Sequence, residues 1–208
     1  VCFGQLSTQR YAADVLQNKI KATLGQLTAR VELISPLGGL KDCKPYLLIR
    51  ASVLEENVPQ AMALLKELLV NGRYDEIERI GELMLQTDYF QKQALIGSGH
   101  MIAIYKGLSA FSAEGAWKEL LEGESFIRWF SGCCQRFAEQ GAEFAKAFMT
   151  LTQRAFATGR LFAGYSGHLQ PAVLEELINA LPAGEAGPAA EPPFFDKAPC
   201  AIEIPSDV

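Results

Sequence analysis

The hydrophobic period of this chain changes at Gly25, and that change restricts the fold more than any other feature of the sequence. Before it, Ser7–Leu24 repeats at helical spacing. Tyr11, Val15, Leu16 and Ile20 form an apolar stripe, Ser7 or Thr8 offers a capping oxygen, and Gly25 supplies the stop. After it, Leu27, Ala29, Val31 and Leu33 alternate with Thr28, Arg30 and Glu32, so Gln26–Ser35 reads as a half-buried strand. Residues 36–39, Pro-Leu-Gly-Gly, break it, and Tyr46–Leu54 is a second strand with Leu47, Ile49, Ala51 and Val53 on one face. The short connection predicts antiparallel neighbours.

Helical period returns at Asn57. Pro59 sits in a first turn, where its missing donor costs nothing, and Val58, Ala61, Met62, Leu65, Leu68 and Leu69 follow at helical spacing until Asn71-Gly72. A second and longer helical pattern covers Asp75–Ser109. Gly97, Ser98 and Gly99 are weak helix formers in its middle and predict a bend. Gly99, Ala103 and Gly107 recur every four residues as a strip of small side chains, the pattern that lets another backbone pack closely. Ser112–Leu121, Glu124–Ala138 and Gly141–Ala157 read as three more helices separated by glycines. Their aromatics, among them Trp117, Phe126, Trp129, Phe130 and Phe137, come without a basic groove, so they read as core and not as a nucleic-acid stacking platform. Arg160–Ser166 reads as a short strand and Pro171–Leu181 as an amphipathic helix.

The composition shifts after Pro182. Residues 183–199 are rich in Pro, Gly and Ala and read as a linker, and Cys200–Ile204 looks extended. The expected organisation is therefore an α+β body over residues 1–182, a linker over 183–199 and the start of a following domain over 200–208. The fold class is α+β, a small mainly antiparallel sheet with helices largely on one face. The first residue is Val1, and the expectation is a domain truncated at its N-terminus, whose exposed strand edge would drive self-association of the fragment.

Chemistry-bearing residues are sparse. There are two histidines, His100 and His168, and neither lies in a His-x-x-Glu-His or His-Glu-x-x-His pair. A hydrolytic zinc site needs about three protein ligands and a general base. His100 reads as a buried or hydrogen-bonded side chain. The five cysteines, Cys2, Cys43, Cys133, Cys134 and Cys200, lack the spacing of a disulfide framework. Cys133 and Cys134 are adjacent and point roughly 100° apart on a helix, so they do not both face one metal. They read as structural thiols in a reducing compartment. A formal net charge of −5 without a basic run argues against nucleic acid, and no apolar run approaches a membrane span, which favours a soluble cytoplasmic protein. No residue of the chain is assigned to catalysis, to a cofactor or to a metal.

The order of elements, with the strings at Tyr46–Asn57, Leu64–Leu69, Ser98–Ala103, Gly107–Ser112 and Gly123–Phe130, resembles one repeat of the pitrilysin/insulinase-type zinc metallopeptidases, presequence-protease subgroup. The tail Pro199–Val208 is similar to the join into that family's fourth repeat. Gly167-His168 departs from the family, where an acidic residue more often follows the glycine. The resemblance implies four α+β repeats in two bowl-like halves around a chamber. The zinc motif would lie in the first repeat, and an assisting Arg and Tyr in the last. This chain resembles the third. It is then an inactive C-terminal-half domain of a peptidase that degrades unfolded peptides. Zinc belongs to the parent, and the partners are the catalytic half of the same polypeptide and the peptide substrate. The alternatives are a catalytically inactive scaffold subunit of the same fold, or an unrelated α+β binding module with a ligand near Gly99–Gly107.

Overall fold

The computed structural model describes residues 3–35, 43–168 and 171–184. Helix α1 (Ala13–Thr23) leads into strands β1 (Gln26–Ile34) and β2 (Lys44–Ser52), which pair as a two-stranded antiparallel sheet. A single 3-10 turn at Glu55–Asn57 opens α2 (Val58–Val70). There follow α3 (Ile77–Gly97), α4 (Gly99–Leu108), α5 (Ala113–Glu122), α6 (Glu124–Ala155) and α7 (Pro171–Asn179). The class is α+β. The described residues fall into two compact units. One contains residues 3–31, 47–88 and 133–184 of the described chain, and the other contains 32–35, 43–46 and 89–132.

The core of the first unit forms where the helical period meets the strand period. Leu16 and Leu24, from α1 and its end, meet Ala61, Leu64 and Leu68 of α2. Leu27 of β1, Ala51 of β2 and Val53 just after it pack against that cluster. Leu16 and Ile80 are completely buried. Each such aliphatic side chain contributes roughly 1.5–3 kcal/mol through burial. Elsewhere in the same unit, α3 and α6 approach closely. A Cβ on Gly81 would sit 3.1 Å from the Phe137 ring, and one on Gly141 would sit 2.6 Å from Ile77. The α6 backbone leaves helical geometry at Gln140 (φ −118°, ψ 21°), immediately before Gly141, so the two helices expected around that glycine are the two arms of one kinked helix.

The first helix starts later than its sequence pattern suggests. Ser7 and Thr8 do not cap a helix at their own positions. Thr8 pairs across an antiparallel bridge with Gly72, its Oγ1 accepts from the amides of Arg10 and Tyr11, and Ser7 Oγ accepts from the amide of Ala13 at 3.1 Å. Buried Glu67 completes this arrangement, accepting from the Arg10 amide at 3.1 Å and from the Asn71 side chain at 2.7 Å. The N-terminal loop therefore takes its polar partners from the end of α2 and the turn after it, which lie far away in sequence.

Three further expectations change. Residues 161–166 lie outside any helix or strand, so Arg160–Ser166 is not a strand. A 3-10 turn at Thr158–Arg160 precedes the segment, and Leu161, Phe162 and Tyr165 are exposed along it. The alternation of β1 does not sort its residues into buried and exposed, because Val31 and Ile34 stand in solvent while Thr28 and Glu32 are half-buried. A two-stranded sheet has too little area to cover one face fully. Trp129 is 61% exposed, although Phe130 and Phe137 from the same group of aromatics are buried. Cys200–Ile204, and with it the linker over 185–199, lies outside the described residues.

In the second unit the expected bend falls at Ser98 (φ −131°, ψ 27°), which separates α3 from α4. Ser112 caps α5, its Oγ accepting from the Gly115 amide at 3.0 Å. Buried Glu119 then holds the turn into α6, accepting from Ser125 N at 3.0 Å, from Ser125 Oγ at 2.7 Å and from Lys106 Nζ at 3.3 Å.

Candidate functional site

The described concavity of the first unit is a cleft of about 650 Å³ between the start of the chain, α1, β1 and the first half of α3. Its floor is apolar, from Phe3, Ile20 and Leu27, and its walls carry Asp14, Gln17, Arg79 and Gln86. Local sequence places each of these. Ile20 continues the apolar stripe of α1, Asp14 and Gln17 occupy its flank, and Leu27 opens β1. Gly4 takes a positive φ of 73°, which turns the entering chain so that Gln17 Nε2 donates to its carbonyl. Arg79 is paired with Glu82 at 2.8 Å on the open surface of α3.

This lining can bind but carries no reactive group. It offers amides, one carboxylate and one guanidinium above an apolar floor, the pattern that orients a ligand without attacking it. Two ion pairs outside the cleft carry displaced pKa values. Asp75 is held below the ordinary carboxylate range, chiefly by the hydrogen bond from Arg73, and Arg73 is raised by the same contact. Lys118 is raised by its hydrogen bond to Glu114 one turn away.

The histidines do not form a site. His100, expected to be buried or hydrogen-bonded, lies exposed on α4, and His168 is exposed beyond residues 161–166. Cys43, Cys133 and Cys134 are buried thiols; Cys134 Sγ donates to the Met84 carbonyl and Cys133 Sγ accepts from Arg136. Among the described residues no group of three His, Cys, Asp or Glu side chains converges as metal ligands. The described residues therefore do not fit a zinc centre. The strip Gly99, Ala103 and Gly107 is also unlike its expectation. A Cβ added at Gly99 or Gly107 would meet nothing within 4 Å, so none of the described residues packs there. As ligand contacts, none of the cleft residues is marked by the sequence. Their convergence is purely tertiary, and no local spacing announces it.

Residues 1–131 match the family of domains associated with peptidases of family M-16, subfamily C, and the chain belongs to that peptidase-associated family. It is 23% identical over 164 residues to the protein HypA of Clostridium perfringens, covering 79% of this chain and 17% of that protein. An uncharacterized protein of Borreliella burgdorferi is 29% identical over 118 residues, 57% of this chain and 12% of its own length. The mitochondrial presequence protease of Drosophila melanogaster is 27% identical over 122 residues, 59% of this chain and 12% of the protease. The matched segment spans less than a fifth of each of these relatives. Among the described residues, no helix is long and apolar enough to cross a membrane.

Proposed function

We propose that this chain is a non-catalytic domain of a zinc metalloendopeptidase that degrades unfolded peptides, and that it walls the substrate chamber opposite a catalytic half in the same polypeptide. The observation that carries this reading is membership of the peptidase-associated family, joined to the likeness to a mitochondrial presequence protease. The sequence agrees with such a division of labour. One domain of several can supply the convergent ligands of a zinc site, and the others then act through shape, by enclosing an extended peptide and excluding folded ones. In that role the α1–β1 cleft contributes wall surface with amide and apolar contacts.

The test uses the complete polypeptide encoded around this segment and the segment alone, each assayed against an unstructured peptide with added zinc. The complete polypeptide should cleave the peptide and lose the activity to a chelator. The segment alone should give no turnover. Chelator-sensitive cleavage that stays with the purified segment would overturn the reading, and so would a complete polypeptide without peptidase activity.

A further inference from the structure

The cleft between α1, β1 and α3 has the dimensions of a short peptide site. Along α1, the lining residues Ala13, Gln17 and Ile20 stand at i, i+4 and i+7, and along α3, Arg79 and Gln86 stand seven residues apart. Seven residues of helix advance about 10 Å and return to nearly the same face, so each helix gives the cleft a wall of about that length. Leu27 and Ala29, two residues apart on β1, face the same side of the strand. A length of about 10 Å takes roughly three residues of extended chain. The volume of about 650 Å³ falls among those of sites that hold small ligands. All of these residues belong to the first unit.

The polar groups left free in the lining fix the chemistry of the occupant. Arg79 is already paired with Glu82 at 2.8 Å, and Gln17 Nε2 donates to the Gly4 carbonyl. The side chains of Asp14 and Gln86 have no hydrogen-bonding or ionic partner among the described residues. The cleft therefore offers one uncompensated carboxylate and one free primary amide above the floor of Ile20 and Leu27. A primary amide both donates and accepts, as a peptide unit does. The carboxylate attracts a cation, and no unpaired cation among the described lining residues is left to hold an anion.

We infer that this cleft is a subsite for an extended peptide in which an apolar side chain is flanked by lysine or arginine. Neighbouring side chains of an extended chain point to opposite sides. With the apolar one down on Ile20 and Leu27, those beside it turn toward the rim, where Asp14 stands exposed in the first turn of α1. The main chain between them meets the Gln86 amide. The inference rests on the reading of this chain as part of a protein that degrades unfolded peptides, and it adds a side-chain preference to that reading. A contact of about three residues is weak alone, and enclosure of the peptide raises the local concentration that fills it.

The experiment is done on the complete polypeptide, with a chelator present so that the probes stay intact. The probes are two unstructured peptides of about ten residues, with amidated ends. They are identical except that a central photo-leucine is flanked by Lys on both sides in one and by Glu on both sides in the other. After irradiation, mass spectrometry locates the crosslinks. They should fall within residues 13–29 and 79–86, and the Lys peptide should give about threefold more product than the Glu peptide, as one exposed charge contact allows. Asp14→Asn should remove that preference and Asp14→Lys should reverse it. Ala29→Phe fills the cleft from β1 and should abolish crosslinking there with either peptide. Both positions are exposed, and the nearly isosteric Asp14→Asn keeps the comparison if a larger change unfolds the protein. The proposal is overturned by an absence of crosslinks at these residues, by equal yields from the two peptides, or by a Lys preference that survives Asp14→Asn. Cleavage is scored separately, without chelator. Charge-selective crosslinking in a polypeptide without peptidase activity removes the functional reading and keeps the subsite, whereas cleavage without such crosslinking does the reverse.

Discussion

Helices α2 and α4 are both short, largely apolar and nearly free of charge, yet they are used in opposite ways. α2 buries Ala61, Leu64, Glu67 and Leu68 against α1 and the sheet, while α4 buries nothing. Apolar composition alone therefore does not say that a helix is core. What separates the two is the supply of complementary surface. α2 meets Leu16, Leu24 and Leu27 from elements that precede it in the chain, and among the described residues α4 is met chiefly along the side that α5 covers.

The contrast is open to mutation. The largest effect should come from Leu64→Ala, which removes a buried side chain from the α1–α2 cluster and should cost about 2–5 kcal/mol in denaturant unfolding. Ile104→Ala on α4 should cost less than about 0.5 kcal/mol in the same chain, as surface substitutions do. Equal losses would erase the distinction. The two sides of α4 can be separated next. Gly115→Ala forces a methyl against the Leu108 carbonyl and should destabilise by roughly 1–3 kcal/mol, whereas Gly107→Ala faces open space and should stabilise by up to about 1 kcal/mol through helix propensity. If both substitutions destabilise, the glycine strip is not open. Ser112→Ala should cost about 1 kcal/mol by removing the α5 cap, and amide exchange should quicken first in that helix's opening turn.

The smallest effect concerns pH. Asp75 is lowered by its contact with Arg73, so this pair helps the folded state above the ordinary carboxylate pKa and ceases to help as pH falls through the depressed value. Both partners stand in solvent, and salt should weaken the effect. Arg73→Ala should raise the Asp75 titration midpoint toward its ordinary value when followed by NMR. An unmoved midpoint would assign the shift to another cause.

Much of the fold was legible because it depends on local period. The change at Gly25, the bend at Ser98 and the break beside Gly141 are set by neighbours within a turn or two. The failures are equally specific. Ser7 and Thr8 resemble helix caps, but their hydroxyls accept from the amides of Arg10, Tyr11 and Ala13 while the backbone around them pairs with Asn71, Arg73 and Glu76, so the helix waits until Ala13. The apolar residues of 161–166 suggested a strand, yet a strand exists only where a neighbour supplies a ladder, and the described residues supply none. The cleft could not be read from local pattern, since Phe3, Gln17, Leu27 and Arg79 become neighbours only after folding.

The arrangement around Glu67 also bears on the order of assembly. The bond from the Arg10 amide to Glu67 spans 57 residues, and that from the Ser7 amide to Glu76 spans 69. Closing loops of that length costs entropy before any bond is gained, and the cost rises with the logarithm of loop length. The hairpin and the individual helices can form first from nearby contacts, with the opening segment of the chain seated last as a latch. That segment would then be the first to leave in a partial opening, and its departure would strip the cleft of Phe3 and Gly4 while the helices behind it still stood.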